Sequence, residues 1–299
     1  MAPRSAVALV SLSFFWLSRQ VLASPSPSSS SSLPFIGHDI SSLIMLEEEQ
    51  SVQYVNLAGE IQPLEYILAA GGANAARMRI WVDPVEGVYN LTYNLNLASR
   101  VEKADMKVYL DFHYSDTWAD PQHQIKPAAW ANLSFPSLVA QIGRYTRDTI
   151  AAFRSSNIRL DLVELGNEIR NGLLWPDGET PNYPNIAKLL KSASEGARAV
   201  KSTSRWQAPI IGIHIDDGYS WQVQQTFYDS VLETGLFGLG DFDAQLVSYY
   251  PFYNESASLQ NLALTTTNMA HRYAKPIIVA ETDWPVKCTN MTQFPFPPS

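Results

Sequence analysis

Short apolar runs alternate with longer amphipathic stretches from Leu33 towards the C-terminus. The runs are rich in Val, Ile and Leu and apolar on both faces, which is typical of strands covered on both sides of a sheet. Seven strands are predicted in this way: Pro34–Ile40, Ala75–Val82, Lys107–Phe112, Leu160–Leu165, Pro209–His214, Gln245–Tyr249 and Pro276–Ala280. The stretches between them have the period of helices, and they predict six: Leu64–Ala70, Leu95–Ala104, Phe135–Phe153, Asn185–Val200, Trp221–Thr234 and Leu259–Tyr273.

This alternation of strand and helix predicts repeated βα units and a parallel sheet. Polar and aromatic residues cluster after the strands rather than before them, as in a (β/α)8 barrel, whose active site lies at the carboxyl ends of its strands. A doubly wound open sheet is the alternative, because the number of strands does not separate the two folds. No glycine-rich turn opens the first predicted helix, which argues against a nucleotide-binding sheet.

Two glutamates each follow the end of an apolar strand. Glu168 comes shortly after Leu160–Leu165, and Glu281 comes directly after Pro276–Ala280. One strand-end glutamate is ordinarily a solvated loop charge, but two of them at the ends of barrel strands can meet across an active site. Two carboxyl groups about 5–5.5 Å apart, one protonated and one ionised, are what a retaining glycosidase requires. The pair therefore predicts glycoside hydrolysis.

The N-terminus has the pattern of a secretory signal peptide over residues 1–23. Arg4 supplies the positive charge, Ala6–Leu17 is an apolar stretch too short to span a bilayer, and Val21-Leu22-Ala23 offers small residues before a cleavage site. A Ser/Pro-rich linker follows over residues 24–32, so the catalytic domain is expected over residues 33–299. A secreted, extracellular glycoprotein is predicted, and its candidate N-glycosylation sites are Asn90, Asn132, Asn254 and Asn290.

Composition and charge narrow the range of partners. The net charge of −8 and the lack of a basic block argue against nucleic acid and anionic membranes. The 14 tyrosines and 8 tryptophans suit stacking against sugar rings. His214 and the Asp216-Asp217 pair match no closed metal motif, so no metal is expected. The sequence also lacks the Gly-x-Ser-x-Gly elbow of a serine hydrolase.

The segment Asp111–Pro121, which reads Asp-Phe-His-Tyr-Ser-Asp-Thr-Trp-Ala-Asp-Pro, resembles the third-strand signature of glycoside hydrolase family 53. Five more segments resemble the second, fourth, fifth, sixth and seventh strands of that family: Arg77–Pro84, Gly166–Pro176, His214–Gly218, Ser248–Tyr253 and Glu281–Pro285. The similarity runs from about Phe35 to Cys288. Members are secreted endo-β-1,4-galactanases that act on arabinogalactan and pectic galactan. The resemblance therefore implies a (β/α)8 TIM barrel, a retaining mechanism and galactan as the partner. An enzyme without a cofactor is expected, and so is a monomer.

The resemblance also implies roles for individual side chains. Glu168 would be the general acid/base and Glu281 the nucleophile. Arg77 is a charge inside an apolar strand and needs a buried partner; by resemblance it supports Glu281 and keeps it ionised. Asn167 is expected to bond the 2-hydroxyl of the sugar, and Tyr250 to hydrogen-bond the nucleophile.

Further candidates lie on the same strands and the loops after them. Arg79 has the parity of Arg77 along its strand and is either a second supporting residue or part of a structural ion pair. His113 and His214 are expected either to orient Glu168 or to contact the sugar. The candidate sugar-stacking platforms are Trp118, Trp175 and Trp284, and the candidates for binding substrate hydroxyls or bracing a loop are Asp111 and Asp116.

Two features depart from the family pattern. Ile36 stands where the family has an arginine before its first-strand aspartate. Only eighteen residues follow Glu281, whereas the family continues through an eighth strand and a cysteine able to pair with Cys288, the only cysteine of this chain. The eighth βα unit is therefore expected to be missing, leaving open strand edges, low stability and weak activity.

Two alternatives remain open on the sequence alone. An inactive galactan-binding remnant would keep the cleft without a closed barrel, and Glu281→Gln would not change its behaviour towards galactan. A related barrel glycosidase of the mannanase or xylanase type would prefer another sugar, although the segment Asp111–Pro121 disfavours it.

Overall fold

The computed structural model describes residues 33–203 and 206–284. Within these residues seven parallel strands form one sheet: β1 (Gly37–Asp39), β2 (Ala75–Ile80), β3 (Lys107–Phe112), β4 (Leu162–Leu165), β5 (Ile210–Ile215), β6 (Ala244–Tyr249) and β7 (Ile277–Thr282). All seven overlap predicted strands, and β3 has the predicted bounds. The predicted signal peptide and linker, Cys288 and Asn290 lie outside the described residues.

The order of the strands in space is the order in the chain. Each strand pairs in parallel with the next, from β1 through to β7. A doubly wound sheet would reverse its order at a switch point, so that alternative is excluded. The sheet is also curled, because Phe35 before β1 and Ile278 in β7 both pack against one interior cluster that includes Tyr109 and Leu162. The architecture is that of a TIM-barrel-like βα fold.

Seven α-helices belong to the same described ranges: α1 (Leu43–Gln50), α2 (Leu64–Ala70), α3 (Leu91–Lys103), α4 (Phe135–Ser155), α5 (Tyr183–Ala199), α6 (Trp221–Glu233) and α7 (Leu259–Tyr273). Six of them match predicted helices. The helix α3 begins four residues before its predicted start, because the side chain of Asn90 caps it by accepting a hydrogen bond from the backbone N–H of Tyr93. None of the helices described is long and apolar enough to cross a membrane.

The expectation that the strands are apolar on both faces is wrong. One set of alternating side chains packs in the core that the helices share: Ala76, Met78, Ile80, Val108, Leu110, Phe112, Val163, Leu165, Ile211, Ile213 and Ile215. The other set points into the curled sheet, and several of its members are buried polar or charged residues: Arg77, Asp111, Glu164, His214 and Ser248. The pairing places Asp111 of β3 beside Glu164 of β4. Buried charge therefore collects inside the barrel.

Helices α4 and α5 approach each other closely through two glycines. A Cβ added to Gly196 in α5 would lie 2.2 Å from the carbonyl oxygen of Gly143 in α4. We expect Gly196→Ala to lower the free energy of unfolding by up to about 2 kcal/mol, the difference between an overpacking cost of about 1–3 kcal/mol and the ~1 kcal/mol that alanine gains over glycine in a helix. Urea unfolding measures the loss. Gly240→Ala is the control, since a Cβ there meets no atom within 4 Å; equal losses in both variants would contradict this account.

Candidate active site

A cavity of about 630 Å³ opens among the loops at the carboxyl ends of the strands, and both Glu168 and Glu281 line it. Glu168 follows β4 in a tight turn, where its own φ is 48° and that of Gly166 is 98°. Glu281 lies within β7. The pairing of β6 with β7 shifts register between Val247 and Ser248, which places Ser248 beside Glu281. Two carboxyl groups from strands far apart in the sequence thus face one space.

The surroundings of Glu168 favour its protonated form. Burial has the largest effect and raises the pKa of this carboxyl; the charge of His214 lowers it, the charge of Glu281 raises it, and the net shift is upward. Ser248 donates a hydrogen bond of 2.5 Å from Oγ to Glu168 Oε1. A carboxyl whose pKa is raised and that faces a cavity is suited to act as a general acid.

Glu281 is held in position by two side chains. Tyr250 donates its hydroxyl proton to Glu281 Oε2 at 2.8 Å. Arg77 Nη2 lies 2.9 Å from Oε1, a close ion pair without the angles of a hydrogen bond. Burial and the charge of Glu281 raise the pKa of Tyr250, so the phenol keeps the proton that it donates. A carboxyl group held in a fixed position facing the cavity is suited to act as the nucleophile of a glycosidase.

Arg77 is the centre of the buried charges. Besides Glu281, its guanidinium contacts Asp39 Oδ2 at 3.1 Å, Asp111 Oδ2 at 3.0 Å and Glu164 Oε1 at 3.1 Å. It therefore links β1, β3, β4 and β7 from the middle of β2. Burial acts to lower the pKa of Arg77, but the surrounding carboxylates raise it well above its ordinary value. The guanidinium stays charged.

Glu164 belongs to the site although it is absent from the predicted site residues. Its side chain is fully buried and accepts hydrogen bonds from Arg77, Tyr109 and His214 Nδ1, the last at 2.6 Å. Burial acts to raise the pKa of Glu164, but Arg77 and His214 lower it, and the net shift is downward. The signal in the sequence is parity: in Leu162-Val163-Glu164-Leu165 the acidic residue occupies the alternate, inward position.

His214 and Asn167 connect this buried charge to the two glutamates. His214 contacts Glu164 through Nδ1, and its Nε2 lies 2.8 Å from Ser248 Oγ. Asn167 accepts a hydrogen bond from Arg77 Nη2 at 2.8 Å through Oδ1 and donates one from Nδ2 to a backbone carbonyl. Asn167 and His214 are both buried. His214 thus reaches Glu168 through Ser248, as one of its two predicted roles requires.

Asp111 and His113 lie beneath the cavity rather than on its lining. Asp111 is fully buried, and His113 is nearly so. His113 Nδ1 accepts hydrogen bonds from Trp81 Nε1 and from the backbone N–H of Ala119, so its proton is on Nε2, which lies 2.9 Å from Asp111 Oδ2. Burial and the neighbouring Glu164 raise the pKa of Asp111 against the opposing charge of Arg77. Both residues brace the site.

The three candidate tryptophans occupy different places. Trp118 lines the cavity with 45% of its surface exposed, and Arg79 lies 4.8 Å from the centre of its ring. Trp175 and Trp284 are not on the cavity lining; Trp175 donates from Nε1 to the carbonyl of Asn171, and Trp284 is about half exposed. Only Trp118 is therefore placed to stack against a ligand in this cavity.

Two other candidate site residues, Asp116 and Arg79, make structural contacts. Asp116 accepts hydrogen bonds from the backbone N–H groups of Asp83 and Ala128, which ties two loops together. Arg79 pairs with Asp39 at 3.4 Å and not with Glu281. The bracing role of Asp116 and the ion-pair role of Arg79 are the alternatives that this geometry favours.

The cavity lining includes side chains that are not among the predicted site residues: Arg170, Asp216, Asp217, Tyr219, Ser248, Phe252 and Tyr253. Arg170 pairs with Asp216 at 3.0 Å. Burial raises the pKa of Asp216 to about 7, with Arg170 opposing the shift and Asp217 adding to it. Across residues 33–203 and 206–284, no group of three or more His, Cys, Asp or Glu side chains is arranged to hold a metal ion.

Comparison with known proteins identifies the family. The model of glycosyl hydrolase family 53 matches residues 35–295. The chain belongs to glycosyl hydrolase family 53. The resemblance of its strand-end segments to that family is thereby confirmed. The match also argues against the alternative of a mannanase or xylanase from another family.

Individual relatives within family 53 agree in sequence and in fold. The chain is 49% identical over 268 residues to arabinogalactan endo-β-1,4-galactanase A of Emericella nidulans, covering 90% of this chain and 75% of that protein. A solved structure from a study of two fungal β-1,4-galactanases has a TM-score of 0.83 at 45% identity and covers 88% of this chain and 78% of that one. The Ignisphaera aggregans GH53 catalytic domain has a TM-score of 0.78 at 31% identity and covers 89% and 73%.

Proposed function

We propose that this family 53 protein is a secreted enzyme that hydrolyses internal β-1,4-galactosidic bonds of arabinogalactan and pectic galactan with retention of configuration. The observation that carries the proposal is one cavity lined by two glutamates in contrasting environments. The pKa of Glu168 is raised by burial, whereas Glu281 is held by Arg77 and Tyr250. The 49% identity to the Emericella nidulans arabinogalactan endo-β-1,4-galactanase A supports galactan as the substrate.

In the first step, Glu281 attacks the anomeric carbon while Glu168 gives its proton to the departing glycosidic oxygen. The hydrogen bond from Tyr250 and the ion pair with Arg77 hold Glu281 in place for the attack. A covalent glycosyl–enzyme forms, and the carboxylate charge of Glu281 is consumed in the new ester. One of the two influences that favour a neutral Glu168 disappears at that moment.

In the second step, Glu168, now ionised, removes a proton from a water molecule as the water oxygen attacks the anomeric carbon. The ester bond breaks and Glu281 is released as a carboxylate. While Glu281 is an ester it has no negative charge, so the pKa of Glu168 falls and its ionised form is favoured. When Glu281 is released as a carboxylate, its charge raises the pKa of Glu168 again. The two carboxyl groups thus exchange charge across the cavity during each turnover. Trp118, on the same lining, supports binding of a sugar ring by stacking.

Secretion and glycosylation complete the proposal. The signal-like N-terminal sequence supports export. Two sequon asparagines, Asn132 and Asn254, have exposed side chains and are accessible to modification, whereas Asn90 is partly buried at the start of α3. Treatment of the secreted protein with an N-glycosidase, followed by mass spectrometry of the peptides, tests which of them carry glycan.

We expect the purified chain to release reducing ends from linear β-1,4-galactan faster than from xylan or mannan by on the order of 10²-fold or more, because a site that hydrogen-bonds specific hydroxyls rejects sugars that lack them. Proton NMR of the first products should show the β-anomer, as retention requires. The catalytically impaired Glu281→Gln variant is the control for contaminating activity. Galactan binding without hydrolysis by the folded chain would favour the inactive remnant instead.

A further inference from the structure

A continuous hydrogen-bonded chain of side chains runs from the buried carboxylate of Glu164 to the acid/base. Glu164 Oε1 lies 2.6 Å from His214 Nδ1, His214 Nε2 lies 2.8 Å from Ser248 Oγ, and Ser248 Oγ lies 2.5 Å from Glu168 Oε1. Glu164, His214 and Ser248 are all buried, so water does not compete with these bonds. The family 53 mechanism described above uses Glu168 but assigns nothing to Glu164.

The direction of each hydrogen bond follows from its partners. His214 Nδ1 faces two acceptors, Glu164 Oε1 and, at 3.2 Å, Asn167 Oδ1, so it carries a proton. The oxygen of Asn167 is identified by its bond from Arg77, while its amide nitrogen donates to the carbonyl of Ala119. The state of His214 Nε2 then decides how Ser248 is oriented.

Two arrangements are possible at Nε2. If His214 is neutral, Nε2 accepts a hydrogen bond from the hydroxyl of Ser248. The Ser248 oxygen is then an acceptor towards Glu168, so the proton of Glu168 lies on Oε1 and is donated to Ser248. If His214 is an imidazolium, Nε2 donates to Ser248, and Ser248 donates its own proton to Glu168 Oε1. In the second case Oε1 is occupied as an acceptor, so the acidic proton of Glu168 must lie on Oε2. Only that arrangement leaves the proton free for the glycosidic oxygen.

We propose that Glu164 is a positioning residue that holds His214 as an imidazolium and thereby, through Ser248, keeps the acidic proton of Glu168 on the oxygen that serves the substrate. The proposal rests on the catalytic role of Glu168 in the function proposed above. The same arrangement serves the ionised state: when Oε2 gives its proton to the leaving oxygen, the new carboxylate already accepts a hydrogen bond from Ser248, which His214 polarises in turn.

The charges around His214 agree with this assignment. Burial acts to lower the pKa of His214, but the charge and the hydrogen bond of Glu164 raise it, Glu281 adds to the rise, Arg77 opposes it, and the result is about 9. The imidazolium should therefore persist through neutral pH and be lost as the pH rises through about 9. The groups that face His214 from the surrounding strands and loops are Arg77, Glu164, Asn167, Glu168, Asp216, Ser248 and Glu281.

Glu164→Gln tests the proposal, with Asp111→Asn as the matched control. Both substitutions remove a buried carboxyl group that contacts Arg77 Nη2, but only the first removes the counterion of His214. Nitrogen-15 NMR of the histidine rings is the primary readout. The chain has only 5 histidines, so the resonances that disappear in a His214→Gln variant are assigned to His214. We expect the titration of His214 to move from about 9 to below neutral pH in Glu164→Gln, a shift of about three pH units that burial without a counterion can produce, and to stay above neutral pH in Asp111→Asn.

The kinetic readout is the pH profile of kcat on linear β-1,4-galactan. In Glu164→Gln we expect kcat at pH 7 to fall by about ten- to a hundredfold, part of the ~10²–10⁴ that general acid–base catalysis contributes, with partial recovery at lower pH, where His214 becomes protonated again. KM should change little. A uniform decrease of kcat at every pH, with His214 titrating as in the wild type, would overturn the proposal.

Ser248→Ala keeps the test decisive if Glu164→Gln fails to fold. This variant removes the bridge but leaves the Glu164–His214 pair intact, so His214 should titrate as in the wild type while kcat falls. Wild-type kcat in Ser248→Ala would overturn the proposal. The NMR titration needs no substrate, and this separates the two hypotheses: a folded wild type that fails to cleave galactan contradicts the proposed function, whereas cleavage with an unshifted His214 in Glu164→Gln contradicts only the role of Glu164.

Discussion

Replacing Glu281 by glutamine should lower kcat on linear β-1,4-galactan by about 10⁴-fold or more, with little change in KM, as expected when the group that forms the covalent intermediate is lost. Glutamine has nearly the same shape, and its amide oxygen can still accept the hydrogen bond from Tyr250. It has no charge for Arg77 and cannot form the ester. Steady-state release of reducing ends measures the effect, and a variant within about tenfold of the wild-type kcat would contradict the assignment.

A chemical rescue separates the role of Glu281 from that of Glu168. Azide should restore turnover of an aryl galacto-oligosaccharide in both Glu281→Ala and Glu168→Ala, but with opposite products. Without the nucleophile, azide attacks the anomeric carbon directly, the aryl alcohol leaves, and an α-glycosyl azide forms. Without the acid/base, azide attacks the covalent intermediate, Glu281 is released, and the β-glycosyl azide forms. The same anomer from both variants, or exchanged anomers, would reject the assigned roles.

Replacing Arg77 by leucine should lower the free energy of unfolding at pH 7 by about 3–5 kcal/mol, the usual cost of leaving a buried charge without its partner. Asp111 and Glu164 are fully buried, and Glu281 is 14% exposed, so the carboxylates that contact Arg77 would lose their shared counterion where water cannot replace it. Urea unfolding measures the loss. Because Arg77 also contacts Glu281, the proposed nucleophile, kcat should fall in the fraction that remains folded.

The stability that Arg77→Leu loses relative to the wild type should decrease as the pH falls. Arg77 lowers the pKa of Glu164, so in the wild type this carboxylate stabilises the fold above the ordinary glutamate value of 4.5, and the stabilisation is lost as the pH falls towards the lower folded pKa. Arg77→Leu lacks this contribution. The difference in stability between the two proteins should therefore be largest near neutral pH and should narrow below about pH 4.5.

Arg79→Leu provides the control for Arg77→Leu. Arg79 lies on the same inward face of β2, but among the described residues its ion pair is with Asp39, whose side chain is 32% exposed and keeps its contact with Arg77. Its removal should cost less, because solvent screens Asp39. Equal losses from the two leucine variants would show that the buried carboxylates do not depend on Arg77.

The sequence predicts the larger elements well, because each has a strong local signal. The strand β3 and the helices α2 and α7 have the bounds that the apolar period indicates. The helix α1 is not predicted, because Leu43-Ile44-Met45-Leu46 precedes Glu47-Glu48-Glu49, so apolar and acidic residues form two blocks instead of alternating with the helical period. Its position depends on packing against the rest of the domain, which no local pattern records.

Site residues at the ends of strands can be predicted from the sequence, whereas site residues inside strands are harder to predict. Glu168 and Glu281 have strand-end signals, and the structure places both in one cavity. Glu164 and Ser248 are interior strand positions whose role depends on which face points into the barrel. A single strand does not fix that face; it follows only when Arg77, Asp111, Glu164 and His214 are seen to share the same parity across neighbouring strands.

The left-handed backbone of Glu168 recurs after neighbouring strands, at Tyr114 after β3 and at Asp217 after β5. This conformation costs residues other than glycine about 1–3 kcal/mol, and glycine or asparagine adopts it more easily. At position 168 thermal robustness and turnover therefore favour different amino acids. Directed evolution that ranks variants of this chain by melting temperature alone will drift towards replacing Glu168, the proposed acid/base, so each round needs a turnover screen alongside the thermal one.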